Sequence, residues 1–195
     1  MTLDFRARLA AAAACVALLG ACSADQVAPS GPVSRASLEV VSPAVPAVPL
    51  MRKLALKGNV TVSATIDPNR GGILAIPPLG LVVWFPSGAV SQPTVVSATA
   101  IAGRMVMYEF GPHGTQFGAP VTISQDLTPT SWFKNLNPAS FEGGYFKDRS
   151  QVDAGTGTVL VDEFFPVRLS AVGNRVEFQI QHVSGYLLST GRKEL

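Results

Sequence analysis

With 195 residues, 47% hydrophobic and 14% charged, the chain is too apolar to be wholly disordered. It is long enough for a leader plus one domain of about 100–150 residues. The formal net charge of +2 becomes +1 once Asp4, Arg6 and Arg8 are set aside with a leader, since 13 basic and 12 acidic residues remain. No basic cluster is long enough for a nucleic-acid surface, so nucleic acid is not an expected partner.

Residues 1–21 read as an export leader. Arg6 and Arg8 form a basic start, and Leu9 to Gly20 is an apolar run too short to span a membrane. The run ends in Leu19-Gly20-Ala21-Cys22, which resembles the lipobox of bacterial lipoproteins. The resemblance implies cleavage after Ala21, diacylglycerol on the Cys22 thiol and acylation of the new amino terminus. Membrane lipid is then the first partner, held through Cys22, and the address is the bacterial cell envelope. Ser23, rather than Asp, after the cysteine implies the outer membrane. Cys15 leaves with the leader and Cys22 is consumed by lipid, so the mature chain is expected to hold no free thiol and no disulfide.

Residues 22–56 read as a tether. Ala, Pro, Ser and Val dominate it, with prolines at 29, 32, 43, 46 and 49. Pro43-Ala44-Val45-Pro46-Ala47-Val48-Pro49 favours an extended, polyproline-like spacer. Within it, Leu38-Glu39-Val40-Val41 leaves open a strand added to the domain.

Residues 57–195 read as an all-β domain, a β-sandwich. Strand patterns fall at 59–66, 73–76, 81–85, 94–101, 105–110 and 120–124, with Asp67-Pro68-Asn69-Arg70-Gly71-Gly72 as a turn. An irregular stretch follows, and further strands are predicted at 159–165, 167–172, 175–181 and 186–189, with Gly173-Asn174 as a tight hairpin turn. Val176, Phe178 and Ile180 alternate with Glu177, Gln179 and Gln181, which gives one buried and one wet face. Glu109 to Ile123 organises the rest: glycines and prolines fix a loop that Phe110 and Phe117 pin to the core.

Three segments in order carry a family resemblance. They are Gly71-Gly72-Ile73-Leu74, then Leu81-Val82-Val83-Trp84-Phe85-Pro86-Ser87-Gly88-Ala89-Val90, then Gly111-Pro112-His113-Gly114 with Phe117 and Pro120-Val121-Thr122-Ile123. Together they resemble the ZU5 domain found in netrin receptors, ankyrins and tight-junction scaffolds. The resemblance implies a β-sandwich acting as an interaction or structural module, not an enzyme. Some ZU5-containing proteins carry a His-Phe-Ser self-cleavage motif where this chain has His182-Val183-Ser184-Gly185. Carried over, His182 would be the base, Ser184 the nucleophile and Val183–Ser184 the scissile bond. The alternation of Ile180, His182 and Ser184 with Gln181 and Val183 fits instead an unbroken strand or hairpin.

Other chemistry is sparse. No Gly-x-Ser-x-Gly elbow is present, and His113 with His182 falls short of a zinc site without a third ligand. Asp67, Asn69 and Gly72 lack the spacing of a calcium loop. A carboxylate pair could draw on Asp162, Glu163 or Glu109, but adjacent residues on a strand such as Asp162 and Glu163 point to opposite faces. No metal, cofactor or catalytic residue is therefore expected. Trp84, between Val83 and Phe85, reads as core. Trp132 in a Pro/Ser/Asn-rich loop, with Tyr145, is the candidate for stacking on a glycan. The expected function is a lipid-anchored interaction or scaffolding module for an envelope protein, with a glycan- or cell-wall-binding lipoprotein as the alternative.

Overall fold

Strand β15 (Arg175–His182) shows how the sequence builds the fold: Val176, Phe178 and Ile180 are buried while Gln179 and Gln181 face solvent. A period of two buries one face of a strand against a second layer. The computed structural model describes residues 43–132, 141–170 and 174–193. In chain order the other strands are β1 (Val45–Pro49), β2 (Met51–Leu56), β3 (Val60–Ile66), β4 (Gly72–Ile76), β5 (Leu81–Phe85), β6 (Thr94–Ala100), β7 (Gly103–Met105) and β8 (Met107–Gly111). They continue with β9 (Gln116–Asp126), β10 (Glu142–Phe146), β11 (Val152–Asp153), β12 (Thr158–Val161), β13 (Glu163–Pro166), β14 (Arg168–Leu169) and β16 (Gly185–Arg192).

Among the described residues these form a nine-stranded and a five-stranded sheet, with β2 and β7 as a separate ribbon. The larger sheet runs β11-β12-β1-β16-β8-β6-β3, with β10 also on β16 and β13 on β10. The smaller runs β14-β15-β9-β5-β4, and every pairing is antiparallel. The two sheets pack against each other, so the chain is an all-β sandwich. Leu81, Val83 and Phe85 of β5, and Val121 and Ile123 of β9, meet Val96, Ala98, Tyr108 and Phe110 from the larger sheet. Met107 and Leu187 alternate with Tyr108 and Tyr186 and join a second cluster with Phe146, Val159 and Val161.

The sheet begins earlier than the sequence reading placed it. Val45–Pro49, assigned to the tether, is an internal strand between β12 and β16, and Met51–Leu56 is β2. Proline cannot donate to a ladder, which argues against a central strand. Here the register shifts between Ala47 and Pro49, and the Pro46 carbonyl accepts from Lys193 N at 2.8 Å. Ala47 and Leu50 are fully buried, and that burial holds the segment in place. The boundary at residue 57 therefore moves to about Val45. Leu38-Val41 and Cys22 lie outside the described residues.

Other boundaries shift less. The strand expected at 159–165 breaks at Asp162, whose N–H donates to the Tyr145 carbonyl at 2.9 Å, giving β12 and β13. Of the strand expected at 167–172, the described residues 167–170 hold the two-residue β14, and 171–172 lie outside the described residues. Gly173, half of the expected hairpin turn, lies outside the described residues.

The organising loop is pinned as expected. Phe110 is buried edge-on to Tyr186 at 5.9 Å, and Phe117 edge-on to Phe85 at 5.7 Å. Gly114 takes a left-handed φ of 84°, and the Thr115 hydroxyl donates back to the Pro112 carbonyl at 2.9 Å.

A buried cation ties the ribbon to the sandwich. Arg52 is only 3% exposed and donates to the carbonyls of Ile101 at 3.1 Å, Gly103 and Met107 at 3.4 Å, and Met105. Its guanidinium also lies over the Tyr108 ring, 5.8 Å from the centroid. Tyr108 Oη donates to Gln125 Oε1 at 2.6 Å, which links the larger sheet to β9 of the smaller.

Candidate functional site

Two surfaces gather the residues singled out above. The first is the corner where β15 leaves the five-stranded sheet and β16 enters the nine-stranded one, with Val183 and Ser184 as the crossing. The crossing is fastened to its surroundings: Val183 N donates to the Thr115 carbonyl at 2.8 Å, and Phe110 N donates to the Ser184 carbonyl at 2.9 Å. The chain here is neither the unbroken strand nor the hairpin that the alternation suggested.

His182 and Ser184 are engaged separately at this corner. Tyr186 Oη donates to the His182 carbonyl at 2.7 Å and lies 3.1 Å from His182 Nδ1. Ser184 is 6% exposed, and its hydroxyl donates to the Phe146 carbonyl at 3.5 Å, the limit of a hydrogen bond. Burial pushes the Tyr186 phenol well above its ordinary range, with Tyr145 and Glu163 adding to the shift. Tyr145 stands edge-on to His182 at 4.9 Å and pairs in register with Tyr186.

His113 and His182 do reach one cleft, of about 490 Å³, together with Gln116, Tyr145, Lys147 and Asp148. Among the described residues, no three of His, Cys, Asp and Glu are grouped to hold a metal ion. At the Asp67 turn, Asp67 Oδ1 accepts from Asn69 N at 2.8 Å and Arg70 N at 3.0 Å. These two bonds hold the exposed carboxyl below its usual range, and they are the bonds of a turn.

The second surface was not foreseen. Trp84 is 59% exposed, on the outer face of the five-stranded sheet, and its β4 partner Ile73 is 62% exposed. This corrects the reading of Trp84 as core. Leu81, Val83 and Phe85 take the inward positions of β5, so Val82 and Trp84 must point out. In an uninterrupted apolar run such as Leu81–Phe85, the phase of the alternation cannot be read from side-chain type. Nothing local to the strand settles the phase, which the packing of the second layer decides.

Register places Trp84 in a row that crosses four strands: Ile73, Trp84, Thr122, Gln179. The adjacent row holds Ala75, Val82, Ser124, Glu177 and Arg168. Its charges are turned on one another, with Arg168 Nε 3.8 Å from Glu177 Oε2 and Ser124 Oγ 3.3 Å from Glu177 Oε1.

Trp132 and Tyr145, the stacking candidates of the sequence, lie elsewhere. Trp132 is half-buried and edge-on to Phe141 at 5.9 Å, packed against the main core. Tyr145 is half-buried among His182 and Tyr186. No protein-family model matches this chain, and no curated protein matches it significantly.

Proposed function

We propose that this chain is a lipid-anchored protein of the bacterial envelope, held through Cys22 at the outer membrane, whose ZU5-like sandwich is a non-catalytic interaction module. The lipobox-like Leu19-Gly20-Ala21-Cys22 supports the anchor, and the ordered trio of ZU5-like segments supports the module. One observation carries the binding role. A tryptophan and an isoleucine stand side by side, each more than half exposed, on the outer face of a sheet whose β4 and β5 strands bury Leu74, Ile76, Leu81, Val83 and Phe85 on the inner face. Adjacent exposed apolar side chains on a rigid face suit a contact surface, and tryptophan is enriched among the residues that carry binding energy.

Two measurements test the reading. Cys22→Ser should move the protein from the membrane fraction to the soluble fraction. A variant that still pellets with membranes after a salt wash removes the anchor from the proposal. A photo-crosslinking residue in place of Ile73, activated in intact cells, should give adducts that the same residue in place of exposed Leu160 does not. Equal labelling from both positions removes the binding face.

A further inference from the structure

Resting on the interaction-module reading, the row Ile73-Trp84-Thr122-Gln179 also narrows what is bound. We infer that a neutral polysaccharide chain lies across the strands on this row, with the Trp84 indole as its platform.

The row has the parts that a sugar ring needs. A pyranose presents a face of C–H groups and an equator of hydroxyls. The indole face carries the negative end of its quadrupole and attracts C–H groups that are partly positive. Ile73 widens that platform on the β4 side. On the other side, the Thr122 hydroxyl and the Gln179 amide offer neutral donors and acceptors to the equatorial hydroxyls. Strands in a sheet are about 4.8 Å apart, so four strands hold these residues over about 14 Å, the scale of a short oligosaccharide rather than of one ring.

Charge decides between classes of partner. No member of the row is ionised, and in the next row Arg168 and Glu177 face one another. An acidic polymer would find no unmatched cation on the row, and a basic peptide no unmatched anion. A protein partner would call for a broad apolar centre ringed by polar groups. Here Ile73 and Trp84 are the large exposed apolar residues, half-buried Ala75 and Val82 lie beside them, and across the strands this small patch gives way at once to the hydroxyl of Thr122 and the amide of Gln179.

The chain has two tryptophans, so Trp132→Phe leaves Trp84 as the sole indole reporter. In that background, the full-length protein in detergent is titrated with laminarin, xyloglucan and galactomannan as neutral probes, and with polygalacturonate as an acidic one. At least one neutral probe should shift and quench Trp84 emission saturably, and polygalacturonate should not. Affinity electrophoresis should show binding weakened at least tenfold by Trp84→Ala and several-fold by Gln179→Ala, with melting curves unchanged because both side chains are exposed. No binding by any neutral probe, equal binding of polygalacturonate, or binding that survives Trp84→Ala overturns the inference. A dimer in sedimentation that Ile73→Arg dissociates also overturns it, in favour of a second copy of the chain. The Ile73 crosslink separates the two readings: protein adducts without glycan binding sink the sugar and keep the module, whereas neither result sinks both.

Discussion

Tyr186 grips His182 at two points, donating its phenol proton to the His182 carbonyl at 2.7 Å while its oxygen lies 3.1 Å from Nδ1. A phenol has one proton to give. With that proton on the carbonyl, Nδ1 must be the donor to the phenol oxygen, and the lone pair of neutral His182 sits on Nε2. Nitrogen NMR of the neutral protein should therefore show His182 as the Nδ1–H tautomer. Tyr186→Phe should release the tautomer to a mixture and cost about 1–3 kcal/mol, since a half-buried carbonyl loses its donor. An unchanged tautomer in the variant would mean that something other than Tyr186 sets it.

The same pair bears on self-cleavage. A base must accept the serine proton; with Nδ1–H turned to Tyr186 the accepting lone pair of His182 is on Nε2, and the Ser184 hydroxyl donates to the Phe146 carbonyl instead of to the ring. The expectation is one intact band on a denaturing gel after long incubation at neutral pH, the same for wild type and Ser184→Ala. A second fragment beginning at Ser184 would reinstate the motif.

Alkali should loosen the sandwich through Tyr108. Burial pushes this phenol up to about 12, partly offset by the Arg52 guanidinium, against an ordinary value of about 10 in the unfolded chain. A group whose pKa is raised on folding gives its full stability below the unfolded value and loses it as pH climbs toward the folded one. Stability should thus fall between about pH 10 and 12, by about 1.4 kcal/mol per pH unit for this one proton. Tyr186, shifted the same way, adds to the fall. Urea midpoints across that range should decline less steeply in Tyr108→Phe, and parallel declines would exclude Tyr108 as a source.

Phe178 is 4% exposed, stacks on Phe165 at 6.2 Å and lies under Gly143, where an added Cβ would come within 2.7 Å of its ring. Phe178→Ala should cost about 3–5 kcal/mol. Gly143→Ala should cost about 1–3 kcal/mol as an overpacking change. Because the two act on one space, their effects should couple: Gly143→Ala should be milder in the Phe178→Ala background. Strict additivity in denaturant melts would break the assigned packing.

At Gly71, left-handed at φ 72°, a Cβ would lie 2.0 Å from the Phe85 carbonyl oxygen, which is backbone and cannot swing away. Gly71→Ala should therefore destabilise the domain by more than about 1 kcal/mol. Gly58→Ala, with nothing near its Cβ, should stay within about 0.5 kcal/mol of wild type. Equal melting curves for the two variants would disprove the close approach.

The parts legible in the sequence were those where polar and apolar residues alternate, as at Val176–Gln181, or where a turn has unmistakable chemistry, as at Asp67–Gly72. Two kinds of position hid from it. Prolines 46 and 49 spoke for a tether because a missing N–H is a local fact, whereas the burial of Ala47 and Leu50 that overrides it is tertiary. Trp84 hid because every neighbour in its strand is apolar, and only the second layer says which side is in. Tyr145 and Trp132 drew attention as large aromatics in loop-rich sequence, but proximity to Tyr186 and Phe141 is not written locally.

The placement of β1 also governs how this domain would bear a mechanical load. A pull on the chain ahead of Val45 arrives at a strand flanked on both sides, by β12 through Val45, Pro46 and Ala47 and by β16 through Ala47 and Pro49. An edge strand would peel away one bond at a time, whereas an internal strand must shear two ladders together. A load applied at this end would thus fall first on a strand held on both sides, in the sheet opposite the one that carries the β4–β5 face.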